Sequence, residues 1–231
     1  MLEEVRSQGG GIIAVTSEPQ SLADEAQRDW GLSFPCIGDP HHEIRTACQE
    51  RGWLDIFFNP DTEMMGRSWS NHPNGYYQPG VVAVTREGRV LYRWRSVPNR
   101  KNMGGAGARP EASYTWEQIQ SGLQAEGDAE LDTHPKMDNR NAPWPVFMLL
   151  LLAHGWFLRA KTFPLAREGD KASAKITKMP LRIAGFFLLL VALAITMPIE
   201  VFALILALWI AKVAPSLMVI HRRFQNEPNP Y

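Results

Sequence analysis

Two cysteines, Cys36 and Cys48, are the side chains of this chain best suited to covalent chemistry. They stand outside any Cys-x-x-Cys arrangement, so neither a disulfide framework nor a thiolate zinc site is expected, and a reducing compartment fits. A cysteine attacks as its thiolate, which needs a helix N-terminus or a neighbouring cation to form near neutral pH. Cys48 falls late in a helix expected over 41–51, where the macrodipole opposes a negative charge, although Arg45 and Arg51 on either side offset that. Cys36 follows Pro35 in an apolar stretch and reads as a small buried hydrophobe. Structural roles are expected for both.

Asp39, His41, His42 and Glu43 bring metal-type ligands close together, with His72 in a distant loop. Adjacent helical positions point in different directions, so residues at a solvated helix start, with Asp39 as a cap, are the expectation and no metal is assigned. Arg67, Trp69, Asn71 and His72, with Trp94, Arg95, Asn102 and Arg109, would line an anion or partner site; loop solubility and turn bonding account for the same residues. No cofactor is implied.

The elements that must position these groups follow from pattern. Residues 11–16 form an apolar, β-branched run of the kind found in strands buried on both faces. Ser21 resembles the cap of a helix over 22–30, 34–37 read as a second strand, and Gly52 closes the helix over 41–51. The stretch 59–79, rich in Asn, Pro, Gly and Trp, reads as a long loop without a regular core. Residues 81–85 and 89–94 flank an Arg-Glu-Gly turn as a β-hairpin, and a helix is expected over 115–123. The order of elements implies an α/β plan.

At 231 residues there is room for one domain and an appendage. The formal net charge is zero and no basic stripe alternates with aromatics, so no nucleic acid is expected as a partner. The acidic opening residues are unlike a secretion signal. The division is a domain at 1–125, an acidic linker at 126–142, a membrane region at 143–223 and a tail at 224–231. Residues 183–211 are apolar except at Pro198 and Glu200, which predicts a helical hairpin at 183–198 and 200–220 spanning a lipid bilayer. Residues 146–163 would be interfacial or spanning. Basic residues at 159–182 and 221–223 place those segments, and with them the soluble domain, on the cytoplasmic side of an integral membrane protein.

Three stretches carry a family resemblance: Gly-Ile-Ile-Ala-Val-Thr at 11–16, Phe-Pro-Cys-Ile-Gly-Asp-Pro at 34–40, and Gln-Pro-Gly-Val-Val-Ala-Val-Thr-Arg-Glu-Gly-Arg-Val-Leu-Tyr-Arg at 78–93. Over about residues 1–123 the chain resembles the peroxiredoxin-like members of the alkyl hydroperoxide reductase and thiol-specific antioxidant family. The resemblance implies an incomplete thioredoxin-like (peroxiredoxin-like) sheet with flanking helices; the α-helical membrane region that follows it in the expected fold is read from the apolar runs alone. In that family the attacking cysteine precedes the strand matching 12–15 by one β-α unit; the residues before that strand here contain no cysteine. Pro79 stands where thioredoxin-fold proteins place a proline facing that cysteine. The expected function is therefore a membrane-anchored binding or scaffold module of redox ancestry. Its alternatives are a thiol-dependent peroxidase using Cys48 or a cysteine in an omitted N-terminal segment, and a protein whose helical bundle is the working part. A sheet lacking its first strands would leave an edge for a protein partner or self-association to cover.

Overall fold

Three glycines at 9–11 separate a short helix α1 (Leu2–Ser7) from strand β1 (Ala14–Thr16), and helix α2 (Gln20–Asp29) leads back to strand β2 (Cys36–Gly38). The computed structural model describes residues 2–60, 62–64, 67–68, 71–96, 109–138, 143–155 and 179–225. β1 and β2 pair in parallel, Ala14 opposite Cys36 and Thr16 opposite Gly38. Gly31, at φ 61°, ends α2 in the left-handed conformation that glycine adopts without penalty.

The outer edge of β2 is closed by side chains of α2. Gln20 Nε2 donates to the Cys36 carbonyl at 2.9 Å, and Gln20 Oε1 accepts from the Gly38 N–H at 2.8 Å. Gln27 Oε1 accepts from the Cys36 N–H at 3.0 Å. A Cβ on Gly38 would lie 2.5 Å from the Gln20 backbone nitrogen, so glycine is what lets α2 sit this close. By contrast, Ile13 just before β1 and Val15 on it remain 60% and 39% exposed.

The loop expected over 59–79 contains short pairings. β3 (Phe58–Asn59) pairs with β6 (Tyr76–Tyr77), and β4 (Glu63–Met64) with β5 (Arg67–Ser68), all antiparallel. The expected hairpin forms as β7 (Gly80–Val84) and β8 (Val90–Arg95). Helix α3 (Glu43–Glu50) ends before Gly52 at φ 69°, and α4 (Ala112–Gln124) packs on β8. Val90, Leu91, Tyr92, Trp94 and Trp116 are buried here, each worth about 2 kcal/mol in apolar transfer. Residues of the stretch read as an acidic linker return along β8: the Ala129 and Asp132 N–H groups donate to the Val90 and Arg93 carbonyls, both at 2.9 Å.

The expected incomplete thioredoxin-like sheet is corrected by this topology. The strands among the described residues form four separate two-stranded sheets within a mixed α/β fold. One physical reason lies at β2, whose outward backbone groups are taken by the Gln20 and Gln27 amides where a central sheet would supply another strand.

Three further helices follow: α5 (Trp144–Gly155), α6 (Met179–Thr196) and α7 (Ile199–Gln225). Met197 and Pro198 turn the chain between the last two, and the Phe186 and Trp209 rings, at matched distances from that turn, stand 5.7 Å apart. α6 and α7 are therefore antiparallel. Leu152 and Ala153 of α5, Phe186 of α6 and Val213 of α7 are buried. The expectation of an integral membrane protein with spanning helices is overturned, because no helix among the described residues is long and apolar enough to cross a membrane. Between Arg182 and the turn, the uncharged apolar run is 183–195, and between Glu200 and Lys212 it is 201–211. At 1.5 Å per residue these reach about 20 and 17 Å, short of the roughly 30 Å of a hydrocarbon core. The interfacial or spanning segment expected at 146–163 is described only as far as α5 reaches.

Candidate functional site

The densest group of polar side chains lies where β1 and β2 end, α3 begins and the segment 71–78 folds over them. Asp39 directly follows β2. Its Oδ2 accepts from the Arg45 backbone N–H at 3.1 Å, acting as a cap for α3 from outside the helix, and from the Tyr77 hydroxyl at 2.5 Å. Burial first, then the Asp39 hydrogen bond and charge, raise the Tyr77 pKa, so the phenol stays protonated as the donor.

His42 precedes α3 at φ 60°, ψ 26°, the one non-glycine residue with positive φ among those described. Its buried ring lies edge-on to Phe58 at 4.5 Å and Tyr77 at 5.3 Å. Nε2 meets the Asn74 carbonyl at 2.9 Å as donor, and Asn74 Nδ2 donates to the Pro40 carbonyl at 2.7 Å. Arg45 is spread over the Phe58 ring at 4.8 Å, with Nη2 4.0 Å from Asp55, while Arg95 Nη1 lies 3.7 Å from the other Asp55 oxygen.

A second pair joins Ser17, directly after β1, to the folded-over segment. Ser17 Oγ and His72 Nδ1 lie 3.0 Å apart, with the donor set by the ring tautomer. Burial pushes the His72 pKa down to about 4; the Ser17 backbone opposes the shift and His42 adds to it. The imidazole is thus neutral at pH 7. Glu18 beside it is raised by burial, against hydrogen bonds from Thr16 and Asn71.

The two sulfurs are not drawn into a reactive arrangement. Cys36 is buried, its backbone held by Gln20 and Gln27. Cys48 is half-buried near the C-terminal end of α3, and burial raises its pKa, with Arg51 opposing and Asp39 reinforcing the rise. Arg45, the other cation expected to favour a thiolate, is engaged with Phe58 and Asp55. Pro79 has a trans peptide and its carbonyl accepts from the Ser96 N–H at 2.8 Å, joining the loop to the end of β8.

The other sequence candidates separate. Asp39, His41, His42 and His72 are near one another through Asn74 and Ser17, yet among the described residues no group of three or more His, Cys, Asp or Glu could hold a metal. Trp94 and Arg95 are buried on β8, Asn71 bonds Glu18, and Arg109 lies beside Asp138; Trp69 and Asn102 fall outside the described residues. Tyr77, Asn74 and Ser17 were missed by sequence reasoning. Only their place in polar, turn-rich stretches marks them, and that signal is shared by every loop residue nearby. No family model, curated protein or solved structure matches this chain.

Proposed function

We propose that the first half of this chain is a binding or scaffold module without thiol catalysis of its own. The observation behind this reading is the placement of the two sulfurs: one is buried beneath α2, and the other sits near a helix C-terminus, where both burial and the macrodipole oppose a thiolate. The polar group at the start of α3 supports it. Asp39, Tyr77, His42 and Asn74 are engaged with each other and with backbone, which fastens a loop. The exposed Ile13, just before β1, and Val15 on it supply a place for a partner's extended segment to lie. Peroxiredoxin-like ancestry rests on the wording of residues 11–16, 34–40 and 78–93 alone.

The test is peroxide consumption by the purified chain in the presence of a dithiol, beside a Cys36→Ser, Cys48→Ser double variant. No turnover by either is expected. Turnover by the parent that the double variant loses would sink the reading and assign the chemistry to one of these sulfurs.

A further inference from the structure

β8 is paired on one side by β7 and on the other by the chain's own segment 128–132. Besides the Ala129 and Asp132 N–H groups on the Val90 and Arg93 carbonyls, Leu131 stands opposite Arg93 in a parallel bridge. Two carboxylates complete the pairing. Asp128 Oδ1 accepts from the Val90 N–H at 2.8 Å, and Asp132 Oδ2 accepts from the Tyr92 and Tyr114 hydroxyls at 3.1 and 2.9 Å. Every receiving group belongs to β8 or α4. Val90 and Tyr92 are buried, yet no residue of 126–138 is, so hydrogen bonds hold the segment without a side chain anchored in the core. Attachments of this kind open at a lower free energy than the core they lie on.

We propose that the side of β8 away from β7, with Tyr114 of α4, is a strand-addition site for an extended acidic segment of a partner, and that 128–132 fills it in cis. Main-chain bonds to the strand supply the grip, as in other strand additions. The two carboxylates, four residues apart, supply the selectivity, because a charged acceptor strengthens the bonds from the Val90 N–H and the two phenols. The segment is fastened separately at its ends. Arg89 Nη1 donates to the Ala125 and Gly127 carbonyls at 2.8 and 3.3 Å, and on the far side Lys136 Nζ lies 2.7 Å from Glu111. Gly127, at φ 79° with open space around it, is the hinge about which 128–132 lifts while both ends stay in place. The proposal extends the binding-module reading to a second edge, and its test is blind to thiol chemistry, so either can fail alone.

The probe is a fluorescent peptide of residues 126–138, titrated with the full chain and followed by anisotropy. The tethered segment competes with it at an effective concentration of about millimolar, so the parent should bind it weakly. Asp128→Ala with Asp132→Ala in the chain weakens the competitor and leaves the receiving groups intact; the peptide should then bind about tenfold tighter or more. A peptide carrying the same two alanines should bind this variant about tenfold more weakly than the parent peptide does, and Tyr114→Phe added to the variant should also weaken the parent peptide's binding. A variant that binds no better than the parent chain, or that takes both peptides equally, would overturn the proposal. Hydrogen exchange in the parent chain decides the matter if the variant loses its helix content by circular dichroism. The Ala129 and Asp132 amides should exchange faster than those bonded between β7 and β8, and equal rates would show a segment that leaves only when the domain unfolds, which overturns the proposal too.

Discussion

His72 is the residue whose placement most directly links structure to pH. Its folded pKa of about 4 lies below the ordinary value of 6.5, so the unfolded chain binds the proton more readily. Above about pH 6.5 the ring is neutral in both states and contributes no pH dependence. Stability should fall as pH drops from about 6.5 towards 4, by up to about 3 kcal/mol from this group. Urea unfolding at pH 7 and pH 4.5 checks this: a His72→Asn variant should lose part of the acid-side decline, and an unchanged decline would refute the assignment. Tyr77→Phe removes the hydroxyl that donates to Asp39 and should cost about 1 to 3 kcal/mol, read as a lower urea midpoint. Cys48, with its pKa raised by burial, should react with a disulfide reagent more slowly at pH 7.5 than a free thiol in a peptide, and its rate should go on rising with pH after that of the peptide thiol has levelled off.

Two elements depend on close approach. A Cβ on Gly122 of α4 would stand 2.3 Å from the Leu91 carbonyl oxygen of β8, and the helix cannot retreat without opening the Trp116 contact side of the core. Gly122→Ala should therefore destabilise by about 1 to 3 kcal/mol, despite alanine's better helix propensity, measured by thermal or urea unfolding. An unchanged midpoint would mean that α4 can shift without loss. At element level much was legible: Gly52 marked the end of α3, and the Arg-Glu-Gly turn placed β7 and β8 nearly to the residue. These signals are local, since a glycine stop or a two-strand turn is written in a few adjacent residues. The short pairings inside 59–79 were not legible, because two-residue strands carry too few side chains to show alternation.

Across the whole molecule, Phe186 holds together helices that adjacent sequence cannot unite. Phe186→Ala should cost about 3 kcal/mol in the α5–α7 group and shift Trp209 emission to longer wavelength, with the Tyr92–Trp116 region unaffected. By itself the sequence determined the apolar helices, the hairpin and the distance of both cysteines from any Cys-x-x-Cys pair, because composition and short-range period are properties of neighbours along the chain. Only the tertiary structure decided that the strands stay in separate pairs, that Gln20 and Gln27 close β2, and that no described helix is long and apolar enough to cross a membrane. Each of these turns on which residues distant in sequence compete for the same backbone groups, or on where a helix begins and ends relative to its charges. Neither is expressed by hydrophobic period.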